Sequence, residues 1–326
     1  MTIPVVDPVQ AVTLDAVREA ARGLEGVAVR TPVVELPTLA SRLGVPVGIK
    51  CEQLQPIGAF KIRGAYTAVA RLAREGRTKG VVCSSSGNHG QAIAYAARHF
   101  GLRAVVVMPE STPRVKVEGV RRYGGEVVFA GAVRSPEQAE RAEQIRREEG
   151  LELVPPYDHP DVVTGQATVG LEILEQRPDV ETILSPVSGG GLLAGISVAV
   201  ATIRPSVQLL GVEPEGAAKL TAALAAGQPT ALARRASMAD GLLTPSIGTF
   251  TWPILRRVVR EAVQVSEAAI ADAVRFLHQE AGLRVEPSGA VTTAALLSGR
   301  FRPTGSTVAV ASGGNVDPEL FERLAG

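Results

Sequence analysis

Lys61 stands in QPIGAFKIRGAYTA (55–68), flanked by Phe60 and Ile62 and beside the small residues Gly58, Ala59, Gly64 and Ala65. Apolar neighbours disfavour an ammonium, and a lysine held among them keeps the amine lone pair that attacks a carbonyl, which is Schiff-base chemistry. A helix-face lysine that lays its stem along apolar surface fits the same spacing. Lysine is scarce here: of 34 Lys and Arg residues only Lys50, Lys61, Lys79, Lys116 and Lys219 are lysines. Each therefore invites a role that a guanidinium, never deprotonated, cannot fill.

Three turns rich in glycine and small polar residues each leave an apolar β-like run and open a helix: SSSGNHGQ (84–91), SGGGLLAG (188–195) and SGGN (312–315). In a parallel sheet all three emerge at the carboxyl ends of strands, where ligands bind, and converge on one crevice. In the second turn, consecutive glycines let backbone N–H groups face a common point at the positive end of the next helix, an arrangement suited to phosphate. A ligand-free strand-to-helix turn uses such glycines too. Gly189, Gly191 and Gly195, with Glu213 ending the next strand, also permit a dinucleotide reading, that of an oxidoreductase. Against it, that fingerprint belongs to the first βα unit of its domain, and several units precede this one. The first turn gathers Ser84, Ser85, Ser86, Asn88, His89 and Gln91 at a helix start, more hydroxyls and N–H groups than a cap uses, as a carboxylate requires. His89 itself reads as a satisfied or exposed histidine, since no carboxylate neighbours it in sequence.

The elements that must carry these turns are legible as alternation. Apolar β-branched runs at 45–51, 80–84, 103–108, 126–129, 182–187, 207–213 and 306–312 predict parallel strands buried on both faces. Between them, amphipathic stretches at 13–24, 61–75, 88–100, 113–123, 136–149, 192–203 and 267–281 predict helices, several closing on a glycine such as Gly44, Gly101, Gly124 or Gly282. Residues 230–250 lack periodicity and read as a long surface excursion. At 326 residues the chain exceeds one ordinary core, and with aromatics at 4% that core must be aliphatic. A net charge of +1 provides no drive toward nucleic acid or an anionic membrane. Cys51 and Cys83 lie far apart in β-like runs, so neither a disulfide framework nor a thiolate zinc site is expected. MTIPVVDPVQ carries no export signal and no apolar stretch is long enough for a bilayer, so a cytoplasmic protein is expected.

GAFKIRGA, SSSGNHGQAIAYAA, GQATVGLEIL, PVSGGGLLAGI, GVEPEGA, ADG, VEPSGAV and SGGNVD, in that order from about residue 28 to residue 317, resemble the serine/threonine dehydratase and serine racemase family. These are pyridoxal-phosphate enzymes of the tryptophan-synthase β-subunit fold. The resemblance implies an α/β architecture of open parallel sheets in two domains. Residues 1–79 and 155–326 would form the larger, cofactor-binding domain, and 80–154 a smaller one that closes on substrate. Lys61 would carry pyridoxal 5'-phosphate as a Schiff base, with Phe60 beside the ring. Ser188, Gly189, Gly190, Gly191 and Leu192 would hold the phosphate. Asn88 would meet the ring hydroxyl, Ser312 the ring nitrogen and Glu286 the ring's far edge. Ser85, Ser86, Gly87, Asn88 and His89 would receive the substrate carboxylate.

The reaction so implied is β-elimination from L-serine, L-threonine or a related β-hydroxy amino acid, giving a 2-oxo acid and ammonia. Lys61 would remove the α-proton, and a neutral Ser312 at the ring nitrogen would favour elimination over transamination. Ser86 sits where racemases place a base on the opposite face, so serine racemisation is the alternative within the family. Some members hold a divalent cation between two acids. Here Glu213 matches the first, but Lys219 takes the place of the second, so no metal is expected and the Lys219 ammonium would stand in for it. The family also implies a homodimer. A chain ending at Gly326 lacks the regulatory extension of biosynthetic threonine deaminases, so feedback control by an end-product amino acid is not expected.

Overall fold

Seven of the strands in the computed structural model coincide with the apolar runs; Val, Ile and Ala packed from both faces favour extended chain in six of them, whereas Glu126–Phe129, expected to be buried on both faces, is a sheet edge with its ends exposed. The structure describes residues 7–76, 78–133 and 135–326; MTIPVV, part of the stretch read for an export signal, lies outside the described residues. The strands are β1 (Val33–Glu35), β2 (Val47–Cys51), β3 (Gly80–Ser84), β4 (Arg103–Met108), β5 (Glu126–Phe129), β6 (Glu152–Leu153), β7 (Thr182–Pro186), β8 (Gln208–Pro214), β9 (Glu261–Val265) and β10 (Thr307–Ala311). They form a six-stranded sheet ordered β1-β2-β10-β7-β8-β9 and a four-stranded sheet ordered β5-β4-β3-β6. All pairings are parallel except β1 on β2, an antiparallel edge.

Strand order fixes where a ligand can sit. In the smaller sheet the chain runs outward from β3 through β4 to β5, then returns to place β6 on the other side of β3. In the larger one it runs outward from β7 through β8 to β9, and β10 returns beside β7. A crevice opens at such a reversal, beyond the strands' carboxyl ends. The turns after β3, β7 and β10 are the three glycine-rich turns.

Helices Lys61–Glu75 and Glu267–Ala281 have the expected bounds, and Asn88–His99, Arg114–Arg122 and Gly191–Ile203 differ from expectation by a residue or two. Helices Pro160–Gln176 and Pro287–Leu297 are additional, and neither has the polar face that makes a helix visible in sequence. Pro160–Gln176 packs between Lys61–Glu75 and Gly191–Ile203 at glycine contacts. A Cβ on Gly195 would come within 2.6 Å of the Ala167 nitrogen, and one on Gly165 within 2.6 Å of the Gly64 Cα. The helix that carries Lys61 is thereby set against the helix that follows the second glycine turn.

A buried charge cluster anchors the Lys61 helix from behind. Arg63 donates from Nε and Nη2 to the two carboxylate oxygens of Glu52, each at 2.8 Å, and from Nη1 to Glu172 at 2.6 Å. Lys50 donates to Glu172 at 2.5 Å and to the Thr31 carbonyl at 2.7 Å. Arg63, Lys50 and Glu52 are fully buried. Burial alone would lower the Arg63 pKa, but the facing carboxylates of Glu52 and Glu172 raise it. Two cations thus balance two carboxylates, the arrangement that makes buried charge tolerable.

Candidate active site

Lys61 opens its helix next to the third glycine turn. The Phe60 N–H donates to the Ser312 carbonyl at 3.1 Å, and Ala59 bridges to Gly313. The Lys61 Nζ donates to the Pro156 carbonyl at 2.5 Å and lies 5.1 Å from the centre of the Phe60 ring. Enclosure by protein, with no carboxylate to offset it, draws its pKa from 10.5 down to about 8. The amine is therefore part unprotonated near neutrality, as a carbonyl nucleophile must be.

The second turn forms a cradle. Gly190 has φ 95°, the left-handed region that favours glycine, and caps the Gly191–Ile203 helix, whose first N–H groups are free of helical partners. The Gly189 carbonyl accepts from the Thr251 Oγ1 at 2.8 Å and from the Gly248 N–H at 3.1 Å, which fixes the turn from outside. A Cβ on Gly189 would overlap the Tyr157 ring, so a side chain there would displace its neighbour. Just upstream, the Val187 carbonyl accepts from the Lys219 Nζ at 3.2 Å.

The first turn meets the third, and Glu286, through polar side chains. Asn88 donates from Nδ2 to Glu286 Oε1 at 2.7 Å and accepts at Oδ1 from Asn315 Nδ2 at 2.8 Å. Burial pushes the Glu286 carboxyl up to about 7, with Asp240 adding repulsion and Lys116 and Asn88 opposing. Lys116, on Arg114–Arg122, forms an ion pair with Asp240 across the two sheets. His89 is buried. Its Nε2 lies 2.9 Å from the Val154 carbonyl and therefore donates, leaving Nδ1 without a protein partner among the described residues. Burial and nearby Lys61 lower the His89 pKa to about 3, so the ring stays neutral. It is a buried histidine held through Nε2 alone, and it lines the cavity.

That cavity, ≈ 670 Å³, takes in every residue assigned from the resemblance, from Phe60 and Lys61 through residues 85–89 and 188–192 to Glu286 and Ser312. Sequence reasoning missed Pro156, Tyr157 and Thr244, which also line it. None belongs to a motif; the fold alone brings their segments in. Residues 230–250 are irregular as expected, yet Ala239, Leu242 and Ile247 are buried, and 241–245 form cavity wall instead of outer surface.

The dinucleotide reading is corrected. The Glu213 carboxylate is fully buried and accepts from the N–H groups of Leu220 and Thr221, each at 2.8 Å, so it has no access to a ribose. The Lys219 Nζ is 3.9 Å from it and donates to the Ala217 carbonyl at 2.7 Å. Among the described residues no group of three or more His, Cys, Asp or Glu is placed to hold a metal ion, and no helix is long and apolar enough to cross a membrane.

The residues fit pyridoxal phosphate. A glycine cradle at a helix N-terminus suits its phosphate, an amine of lowered pKa suits its aldehyde, and one cavity holds both. A family model described as pyridoxal-phosphate dependent enzyme matches residues 24–313. The chain is 39% identical over 314 residues to an L-threonine ammonia-lyase of Thermotoga maritima, covering 96% of this chain and 78% of that protein. It is 37% identical to a serine racemase of Oryza sativa, covering 96% and 94%. The solved structure of maize serine racemase superposes with a TM-score of 0.92 at 37% identity, covering 96% of each chain. The fold is that of the tryptophan-synthase β-subunit type, and the chain belongs to the family of pyridoxal-phosphate dependent enzymes.

Proposed function

We propose that this cavity is the active site of a pyridoxal-phosphate ammonia-lyase that converts L-threonine, L-serine or a related β-hydroxy amino acid to a 2-oxo acid and ammonia. The observation that carries the reading is the meeting of an amine of lowered pKa, a serine-rich helix start and a glycine cradle in one cavity. Bound pyridoxal phosphate supplies the electron sink that acidifies the α-hydrogen of an amino acid joined to it through nitrogen. The amides of residues 189–192 and the helix behind them hold the phosphate, and Ser188 flanks it. Phe60 shields the ring. Asn88 meets the ring hydroxyl, Glu286 the ring edge, and Ser312 offers the ring nitrogen an uncharged hydroxyl. The hydroxyls and N–H groups of residues 85–89 orient the substrate carboxylate. Lys61 would take the α-proton onto Nζ, where the Pro156 carbonyl would steady it.

In this reading residues 80–154 close on substrate as a unit against 1–79 and 155–326, and the enzyme is a cytoplasmic homodimer. Ammonia and 2-oxo acid release, assayed with serine, threonine, 3-hydroxyaspartate and 3-phenylserine, is the direct test. Borohydride should fix the cofactor on Lys61. Normal 2-oxo acid formation by Lys61→Ala would overturn the assignment.

Ser86 shares the cavity with Lys61 and offers a second group able to carry a proton, which supports racemisation as the second reading. Chiral analysis of serine after incubation decides it: Ser86→Ala should then depress racemisation more than elimination.

A further inference from the structure

Residues 154–158, between β6 and the Pro160–Gln176 helix, touch each part of the site. The Val154 carbonyl takes the His89 ring N–H, and the Pro156 carbonyl takes the Lys61 amine. The Asp158 carboxylate accepts from the N–H groups of Phe250 at 2.8 Å and Thr251 at 3.1 Å, at the start of the helix that holds the Gly189 carbonyl.

Tyr157 occupies the centre of this segment. Its Cβ lies 2.9 Å from where a Gly191 Cβ would stand, and its ring edge, including the hydroxyl-bearing Cζ, covers Gly189. The ring therefore runs along the glycine cradle. Among the described residues no protein partner takes the phenol hydrogen, yet the hydroxyl is not one of the sealed, unsatisfied polar atoms. Tyr157 lines the cavity. Burial and the neighbouring Asp158 raise its pKa, so the phenol stays protonated and is a donor at working pH. A phosphate monoester carries more acceptor positions than one helix start satisfies, and a hydrogen bond to an ionised acceptor is a strong one.

We propose that the Tyr157 hydroxyl donates a hydrogen bond to the phosphate held by residues 188–192, making Tyr157 a cofactor-binding residue that no motif marks. The inference rests on the pyridoxal-phosphate reading. Its rival is a ring that only packs on glycine, and Tyr157→Phe separates the two because it keeps the ring and removes the oxygen.

Apoenzyme of each form is titrated with pyridoxal phosphate, and the bound cofactor is then followed by phosphorus NMR across pH. The Phe variant should melt near the wild-type temperature as apoenzyme, bind the cofactor about tenfold more weakly, and show a displaced phosphorus resonance. An unchanged Kd and an unchanged resonance in the Phe variant overturn the inference alone. A wild-type apoenzyme that takes up no pyridoxal phosphate overturns the cofactor reading and the inference together.

Discussion

The Lys61 Nζ sits 2.5 Å from the carbonyl oxygen of Pro156, so the amine is positioned by a neutral backbone acceptor and not by a carboxylate. A carboxylate partner would have held the ammonium charged; enclosure beside a carbonyl leaves the pKa at about 8. Uptake of pyridoxal phosphate by apoenzyme needs the unprotonated amine. Its rate should climb about tenfold per pH unit below 8 and level off above it. Stopped-flow absorbance measures this, and a rate still climbing near pH 10 would show an ordinary lysine.

Glu286 carries a pKa raised to about 7, chiefly by burial. A carboxyl whose folded pKa exceeds its unfolded value of 4.5 holds its proton better in the native state, so its contribution to stability is present below pH 4.5 and is lost as pH rises through 7. Glu286→Gln mimics the protonated form and still accepts from Asn88. Thermal melts of apoenzyme should coincide for the two forms at pH 4, while at pH 8 the variant should melt about 5 °C higher.

Gly189→Ala places a methyl group into the Tyr157 ring, which must move. Cofactor affinity should fall at least about tenfold in an equilibrium titration, because the amides of the turn shift with it. Gly23→Ala, where the added carbon meets nothing within 4 Å, is the control and should leave affinity unchanged.

Arg63→Met strips the fully buried Glu52 of its main partner. Leaving such a charge uncompensated costs about 3–5 kcal/mol. The melting temperature should drop accordingly, and adding Glu52→Gln to Arg63→Met should recover part of the loss, a coupling that a double-mutant cycle measures.

Much of this fold was legible because its central strands are buried, continuous Val- and Ala-rich runs, and much of the site because its residues cluster where helices begin. The edges were not. β6 has two residues, too few for any pattern, and β9 alternates only partly. Pro160–Gln176 escaped because Gly165 and Gly170 interrupt it and its neighbours surround it, so no polar stripe marks its surface. Tyr157 and Thr244 reach the cavity only through pairings distant in sequence, which spacing along the chain does not encode. The scarcity of lysine was the better guide: Lys50 lies in the buried charge cluster, Lys61 in the cavity, Lys116 in the ion pair across the sheets and Lys219 behind the glycine turn.

That distribution leaves little for an amine-directed reagent to find. Lys50 and Lys219 are sealed and Lys116 is paired, so among the described residues Lys79, just before β3, is the one lysine standing in solvent. Among the lysine side chains of the described residues, that corner, beside Gly150, is therefore the one an aldehyde- or ester-activated support meets in solvent. Dyes that target lysine should report that corner first.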